Sequence, residues 1–342
     1  METRSYEPLT ASFAQPFARH WGDEHTPLRV VSKPMKFVSF RRKTGGDSWG
    51  VLAPNGRILD LSGHAPSMLD FLNSDWEKAL GGIRQSLGSA SLAPESVTFG
   101  PCLPNPPSMR DGYSFRQHVE AARRNRGVPM IAEFDDFPIF YFTNHRSVIG
   151  PGPCRVLPMH LQQLDFELES AVVIGKRGRN IKAADADKYV FGYTIMNDLS
   201  ARKLQMDEMK LNLGPAKGKD FATALGAWLV TPDELEAHRR PSPQGDRYAL
   251  EMTCEVNDIQ VSKGNMADMS WTYAQIIERA SYGVDLYPGD VIGSGTVGTG
   301  CFLELNGSGI TQNQWLQLGD KVVLKINGLG SLENTIVAEH NE

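Results

Sequence analysis

The sequence has few cysteines and no long hydrophobic run. Its four cysteines, Cys102, Cys154, Cys254 and Cys301, are widely separated, and no C-x-x-C spacing occurs. In a chain of 342 residues this pattern is typical of reduced thiols, and it argues against a disulfide scaffold or a cysteine-ligated metal. No apolar stretch approaches the roughly 18 residues that a membrane-spanning helix needs. We therefore predict a cytoplasmic protein that does not contact membranes.

Neither sign of charge is in large excess. The chain has 35 Lys and Arg against 40 Asp and Glu, which gives a formal net charge of −5. A weakly acidic balance provides no electrostatic basis for binding nucleic acid or an anionic membrane. Repeats and low-complexity tracts are also absent from the sequence. The expected partner is therefore a small molecule.

The chain divides into three parts by composition. Residues 1–34 mix charged residues with prolines and lack the hydrophobic core of a secretion signal, which predicts an extended arm or a poorly ordered lead-in. Residues 35–105 combine a predicted β-hairpin with two helical segments, and they end in the proline-rich stretch Pro101–Pro107. We predict a small β-rich N-terminal domain at 35–105 and a larger domain at 106–342.

Three acids alternate with apolar residues at the start of the segment Leu164–Gly175. Alternation predicts a strand, in which residues two apart share a face. Asp165, Glu167 and Glu169 would then lie side by side, about 7 Å apart. Like charges this close repel unless a cation neutralises them. A hard divalent ion such as Mg²⁺, Mn²⁺ or Ca²⁺ is the simplest explanation, and a solvated strand face is the alternative.

Two other segments carry candidate site residues. Val190–Asp198 predicts a buried strand that ends on an acid, and a buried acid is costly unless it is paired or binds a metal. Asp198 is therefore a candidate third ligand. Asp111–Gly127 predicts a loop that enters a helix, with His118 near the helix start. A histidine there is either structural or a candidate for proton transfer.

The loop Gly293–Gly298 matches G-x-G-x-x-G. The dinucleotide-binding motif requires a strand, the glycine loop and a helix in that order. The segment after the loop, Cys301–Leu305, alternates as a strand would. We therefore predict no nucleotide cofactor, and we interpret the loop as a turn whose backbone faces a ligand.

Together these segments resemble the fumarylacetoacetate hydrolase family. The matching motifs occur in the family order and are D-F-E-L-E at 165–169, M-N-D-L-S-A-R-x-x-Q at Met196–Gln205, G-K-x-F-x-T at Gly218–Thr223, W-L-V-T-P at Trp228–Pro232 and G-x-G-T at Gly293–Thr296. The resemblance implies an α+β, β-rich protein whose catalytic domain is a mixed β-sandwich roll. It also implies one bound divalent cation, often in a homodimer.

The resemblance also implies the roles of individual residues. The metal carboxylates are Glu167, Glu169 and Asp198, with Asp111 as a fourth ligand found in the fumarylacetoacetase branch. The motif D-x-Y-x-x-R-Q-H at Asp111–His118 and the F-L-E-L segment that holds Glu304 resemble the same branch, in which the matching His and Glu activate water. Lys219 matches the active-site lysine. Substrate-contacting positions are Tyr113, Tyr141, Arg202, Gln205 and Thr296.

The chain differs from the fumarylacetoacetase branch in length and at Met209, where that branch has a tyrosine that contacts substrate. The shorter length resembles the acylpyruvase-like members. We predict a Mg²⁺-dependent (or Mn²⁺- or Ca²⁺-dependent) hydrolase of aromatic catabolism that cleaves a carbon–carbon bond in a 1,3-diketo acid, with His118 and Glu304 activating water. The alternatives are an oxaloacetate-like 2-oxo acid decarboxylase or keto–enol isomerase, which needs no such pair, and a non-catalytic metal-binding protein.

Overall fold

The structure is a computed structural model that describes residues 35–339, so the predicted arm at 1–34 lies outside the described residues. The strands are β1 (Lys36–Arg42), β2 (Asp47–Leu52), β3 (Ile58–Asp60), β4 (Val97–Phe99), β5 (Met109–Gly112), β6 (Phe140–Thr143), β7 (Val148–Ile149), β8 (Gly152–Val156), β9 (Leu164–Asp165), β10 (Leu168–Ile174), β11 (Gly178–Arg179), β12 (Val190–Asp198), β13 (Ser200–Ala201), β14 (Thr223–Leu225), β15 (Trp228–Val230), β16 (Arg239–Arg240), β17 (Arg247–Tyr248), β18 (Glu251–Val256), β19 (Ile259–Asn265), β20 (Asp285–Leu286), β21 (Val291–Gly293), β22 (Lys321–Ile326) and β23 (Gly330–Ala338). The α-helices are α1 (Met68–Leu72), α2 (Trp76–Ser86), α3 (Arg116–Asn125), α4 (Ala183–Ala186), α5 (Arg202–Met209), α6 (Tyr273–Ala280) and α7 (Phe302–Gly307). Short 3₁₀ helices lie at Leu87–Ser89, Pro94–Ser96, Ala132–Asp135, Asp187–Tyr189, Pro232–His238 and Met266–Asp268.

Two large sheets organise the described residues. The first has 12 strands, and its main path runs β3-β2-β1-β15-β12-β10-β21-β5-β6. The second has five strands in the order β19-β18-β22-β23-β8. Both sheets are mixed, because β21 pairs with β5 in parallel and β23 pairs with β8 in parallel, while most other pairs are antiparallel. The predicted strand-rich α+β fold is confirmed.

The central strand β10 explains the unbroken apolar run that follows the acids. Val172 and Ile174 belong to the large core that also contains residues from β18 and β22 of the second sheet, so the two sheets pack face to face. Ala171 and Val173, on the opposite face, pack into a second core with aromatic residues from β1 and β2. A strand that is buried on both faces has no solvated positions and therefore no alternation.

The region 35–105 shares its sheet with the rest of the chain. The predicted hairpin is confirmed as β1 and β2, and β1 then pairs antiparallel with β15, so the sheet crosses the boundary predicted at residue 105. Independent folding of 35–105 stays a prediction. None of the helices between residues 35 and 339 is long and apolar enough to cross a membrane.

Two local predictions are wrong. The segment Cys301–Leu305 is not a strand, because helix α7 begins at Phe302. The acidic segment is not one continuous strand either, since Phe166 and Glu167 separate β9 from β10. Both deviations involve Asp165, whose Oδ1 accepts hydrogen bonds from the backbone N–H groups of Phe166 (3.0 Å) and Phe302 (2.7 Å). The contact between Asp165 and Phe302 joins residues far apart in the sequence, and a local pattern cannot reveal it.

Candidate active site

Four carboxylates meet at the centre of the large sheet. Asp111 lies on β5, Glu167 lies just before β10, Glu169 is on β10, and Asp198 ends β12. One carboxylate oxygen of each lies within 4.8 Å of the others, and all four side chains are buried. Strand pairing explains the convergence, because β10 is hydrogen-bonded to both β12 and β21, and β21 is hydrogen-bonded to β5. The alternative of a solvated strand face is therefore wrong.

The geometry and charge of this carboxylate cluster suit a divalent cation. Ligand distances of about 2.0–2.6 Å place opposite oxygens around one ion roughly 4–5 Å apart. Glu169 Oε2 and Asp198 Oδ1 are buried and have no hydrogen-bond donor among residues 35–339. Burial and the neighbouring charge of Asp198 raise the pKa of Asp111 to about 8, and burial beside Asp111 raises the pKa of Glu169 well above its ordinary value. Oxygen-only donors of this kind fit Mg²⁺, Mn²⁺ or Ca²⁺.

Lys219 lies against the cluster. Its Nζ donates to Glu167 Oε2 (2.6 Å) and to Asp198 Oδ2 (2.7 Å). Burial opposes the charged form of this ammonium, but the two carboxylates outweigh burial and raise the pKa of Lys219 above its ordinary value. Burial alone would raise the pKa of Glu167, but the charges of Lys219 and Arg202 outweigh burial and leave that pKa below its ordinary value. Two of the three ammonium N–H groups are used, so one is left to face a substrate.

Arg202 begins α5 and contacts protein groups through all three nitrogens. Nε donates to Asp165 Oδ2 (2.8 Å), one terminal nitrogen donates to Glu167 Oε1 (2.7 Å), and the other donates to Gln205 Oε1 (3.0 Å). The structure thus brings Arg202 and Gln205 to the site, as predicted. Only two of the five guanidinium N–H groups are left for a substrate carboxylate.

His118 and Glu304 form a buried pair. His118 lies in the first turn of α3 and Glu304 in the first turn of α7, with His118 Nδ1 at 2.7 Å from Glu304 Oε2. A carboxylate can only accept, so Nδ1 carries the proton of this bond, and Nε2 holds a lone pair whenever the ring is neutral. The Tyr113 ring and the imidazole are nearly perpendicular, with ring centroids 5.9 Å apart. The helix that carries Glu304 begins at residues held by Asp165, and Asp165 bonds to Arg202 at the cluster.

Two other predicted substrate contacts bond to cluster carboxylates instead. The Tyr141 hydroxyl on β6 donates to Asp198 Oδ2, and Thr296 Oγ1 donates to Glu169 Oε1 at 3.3 Å. Burial and the Asp198 charge raise the pKa of Tyr141 well above its ordinary value, so this hydroxyl stays a donor. Both residues lie at the site, and their contact with substrate stays a prediction.

The glycine-rich loop holds Asp111. A Cβ on Gly293 would lie 2.3 Å from Asp111 Oδ1, and Gly295 has a φ of +77°, so side chains are excluded at both positions. The backbone N–H of Gly295 donates to Asp111 Oδ1 at 3.1 Å. The loop is buried beside the cluster, and contact of its backbone with a ligand stays a prediction. The dinucleotide-binding motif was rejected because a strand was predicted after the loop, and that prediction is wrong, since helix α7 follows the loop.

Sequence reasoning missed two residues at the site. Asn197 precedes Asp198, and its Oδ1 accepts from the Glu167 backbone N–H (3.0 Å), fixing the break between β9 and β10. The thiol of Cys301 lies within 4.8 Å of ligand atoms of both His118 and Glu304. Burial raises the pKa of this thiol well above its ordinary value, so it is neutral. The strand that ends on Asp198 is a sequence signal that could have identified Asn197, whereas no local pattern indicated Cys301.

The fold and the site define a strand-rich α+β enzyme with a buried carboxylate cluster at the centre of a mixed sheet. A sequence profile described as fumarylacetoacetate (FAA) hydrolase C-terminal matches residues 108–337, and the chain belongs to the fumarylacetoacetate hydrolase family, which confirms the resemblance. Mitochondrial oxaloacetate tautomerase FAHD2B of Bos taurus is 32% identical over 316 residues, covering 90% of this chain and 93% of that protein.

Solved structures of similar fold cover nearly the whole chain. Fumarylacetoacetate hydrolase from Exiguobacterium antarcticum is 25% identical, with a TM-score of 0.66 over 89% of this chain and 100% of that one. Maleylpyruvate hydrolase from Sphingobium sp. SYK-6, in complex with manganese(II) ion and pyruvate, is 21% identical, with a TM-score of 0.67 over 90% of this chain and 100% of that one. The similar folds therefore include a fumarylacetoacetate hydrolase and a maleylpyruvate hydrolase.

Proposed function

We propose that this protein is a divalent-metal-dependent hydrolase that cleaves a carbon–carbon bond of a 1,3-diketo acid. The observation that carries the proposal is the buried His118–Glu304 pair, which the bonds of Asp165 and Arg202 link to the carboxylate cluster. Hydrolysis requires a base that activates water, and a carboxylate-oriented imidazole is such a base. An enol–keto exchange requires no activated water, so the pair favours hydrolysis.

The cluster residues Asp111, Glu167, Glu169 and Asp198 would hold the ion, which we propose to be Mn²⁺ or Mg²⁺. The manganese and pyruvate bound by the Sphingobium hydrolase support this choice. When bound, the ion supplies a Lewis acid that polarises a substrate carbonyl and stabilises the negative charge of the departing carbon.

His118 performs the first proton transfer. Its Nε2 takes a proton from water, and the resulting hydroxide forms a bond to the acyl carbonyl carbon. Glu304 holds the imidazole through Nδ1 and stabilises the positive charge that the ring acquires. The pair therefore acts as one unit, with Glu304 orienting and His118 reacting.

Bond cleavage completes the reaction. The acyl carbonyl re-forms, the carbon–carbon bond breaks, and its electron pair moves to the leaving 2-oxo acid as an enolate. The proton on His118 Nε2 then returns to that carbon, so no other acid is needed. The third N–H of Lys219 faces the developing oxyanion, and such a donor typically contributes about 100- to 1,000-fold to the rate.

Substrate orientation is assigned to groups around the cluster. The two unused N–H groups of Arg202 offer a fork for the carboxylate next to the 2-oxo group. Tyr113 lies against the imidazole and covers one side of it. We propose that these two residues, with Gln205 and Thr296, place the acyl carbonyl next to Nε2.

A second candidate is a tautomerase of oxaloacetate or a similar 2-oxo acid. The similarity to oxaloacetate tautomerase FAHD2B over most of both chains supports this alternative. That reaction needs the ion and a proton carrier, but it consumes no water. The two candidates therefore differ in whether water is consumed, and hydrolysis alone requires a group that activates it.

The test uses Mn²⁺-loaded protein with two substrates, an acylpyruvate for hydrolysis and enol-oxaloacetate for tautomerisation. Products are identified by mass spectrometry in ¹⁸O-labelled water, which labels the released carboxylic acid only if water attacks. We expect acylpyruvate cleavage with label incorporation. His118→Ala should lower its kcat by about 100- to 10,000-fold, the contribution of a general base. The control is His64→Ala, because His64 is an exposed loop residue.

The outcome separates the candidates. Hydrolysis that survives unchanged in His118→Ala would remove the residue from the mechanism. Tautomerisation of enol-oxaloacetate without any acylpyruvate cleavage, retained in the variant, would overturn the hydrolase proposal and favour the second candidate.

A further inference from the structure

Asp165 is the acid of the D-F-E-L-E motif that does not join the cluster. Its side chain is fully buried, and its carboxylate accepts four hydrogen bonds. Besides the Phe166 and Phe302 N–H groups described above, Oδ2 accepts from the Leu303 N–H (3.0 Å) and from Arg202 Nε (2.8 Å). A carboxylate has about four lone-pair sites, so the protein itself uses all of them. Asp165 has no position left for an ion or a substrate.

One pair of these bonds holds the helix that carries Glu304. Phe302 and Leu303 are the first two residues of α7, and their N–H groups have no acceptor within the helix. Asp165 supplies those acceptors from another part of the chain. Glu304 is the next residue, so the position of its carboxylate beside His118 depends on where Asp165 fixes the start of α7.

The remaining long-range bond holds the guanidinium of Arg202. The same guanidinium donates to Glu167 Oε1 at 2.7 Å, and Glu167 is a member of the carboxylate cluster. Asp165 therefore bonds to Arg202, which in turn bonds to the candidate metal ligand Glu167. Asp165 also bonds to the N–H of the residue that precedes Glu304, the carboxylate that bonds to His118.

We infer that Asp165 is a positioning residue that sets the His118–Glu304 pair and the carboxylate cluster relative to each other. The inference rests on the proposed function, since the pair activates water for a substrate held at the cluster. A shift of a reacting group by about 1 Å can cost about 100-fold in rate. A buried acid with a purely structural role would affect stability alone.

The experiment replaces Asp165 with asparagine and uses two readouts that do not need turnover. The first is the low-field proton NMR signal of the His118 imidazole N–H in the Mg²⁺-loaded protein, assigned by its loss in Glu304→Gln. The second is the dissociation constant for Mn²⁺, measured by calorimetry. Asparagine places an NH₂ group against donors of α7 or Arg202. We expect a shifted or lost His118 signal and Mn²⁺ affinity reduced by about 10- to 100-fold.

The matched control is Asp290→Asn. Asp290 is also buried, and it accepts from Ser108 Oγ (2.7 Å) and the Tyr287 N–H (2.9 Å) and lies 3.9 Å from Arg110, none of which belongs to the cluster or the pair. This variant should lose stability but keep the His118 signal and the Mn²⁺ affinity. Where Asp165→Asn does not fold, Asp165→Glu retains the charge and the acceptors while displacing α7, and it should shift the same signal.

An Asp165 variant that melts earlier, yet keeps the wild-type signal and Mn²⁺ affinity as the control does, would overturn the inference. Failure of the wild-type protein to cleave any diketo acid would instead count against the proposed function. Neither readout on Asp165 depends on that result, so the two failures are distinguishable.

Discussion

The carboxylate cluster and the His118–Glu304 pair occupy one site but are built differently. The cluster lies on or next to hydrogen-bonded strands of one sheet, and its four acids, when all are ionised, exceed the positive charge that Lys219 and Arg202 supply. The pair lies on two helices, and each member satisfies the other. Binding a cation and activating water are therefore separable: the cluster needs an external charge, whereas the pair needs only correct placement.

Removing one cluster acid should have the largest effect, because it tests directly whether the cluster binds the cation. Glu169→Ala deletes a carboxylate that has one oxygen without a donor among residues 35–339. Because removing an outer contact to a metal ligand costs about 10- to 100-fold, deleting the ligand itself should weaken Mn²⁺ binding by more than about 100-fold. Calorimetry measures this affinity, and turnover should be lost with it.

The matched variant for Glu169 is Glu251→Ala. Glu251 is an acid on β18 of the second sheet that pairs with Lys263 at 2.7 Å, and both side chains are exposed to solvent. We expect its Mn²⁺ affinity to equal that of the wild type. Wild-type affinity in Glu169→Ala as well would mean that the ion binds elsewhere, and it would contradict the assignment of cation binding to the cluster.

The same difference explains how much the sequence revealed. Glu167, Glu169 and Asp198 were predictable as a group because alternation along a strand and an acid at the end of a buried strand are local patterns. The pairing of His118 with Glu304 came only from the resemblance, since it joins helices 186 positions apart. Helix α7 was mistaken for a strand because its first N–H groups bond to Asp165, which is 137 positions away from Phe302. Tertiary contacts of this kind leave no local periodicity.

A variant of Lys219 should change the turnover rate without weakening the binding of the cation. Lys219→Met should lower kcat by about 100- to 1,000-fold, since it removes the donor that we propose for the oxyanion. Mn²⁺ binding should not weaken, because the lost ammonium competes with the ion for Glu167 and Asp198. Steady-state kinetics and calorimetry on one preparation measure both quantities.

The neighbouring Lys217 provides the control for Lys219. Its Nζ lies 2.8 Å from Asp220 in an exposed pair, so Lys217→Met should leave kcat and Mn²⁺ affinity unchanged. Weaker Mn²⁺ binding in Lys219→Met would mean that the ammonium organises the ligands rather than competing with the ion.

The smallest expected effect is a pH-dependent thermal shift. Mn²⁺ at 100 times its Kd should stabilise the folded protein by about 2.7 kcal/mol, which raises Tm by roughly 5 °C. His118→Ala should retain the shift, because the pair is not a ligand. Differential scanning fluorimetry with and without EDTA measures it.

The shift should be larger at pH 8 than at pH 6. In the metal-free protein, burial and the charge of Asp198 raise the pKa of Asp111 to about 8, so below that pH the ion must displace a proton. A folded-state pKa above the unfolded value of about 3.9 also means that Asp111 favours the metal-free fold at low pH, and this contribution is lost as the pH rises through 8. Release of this one proton therefore widens the gap in stability between the loaded and the metal-free protein as pH increases. Asp111→Asn should flatten the dependence, and an equally steep dependence in that variant would assign the proton to another group.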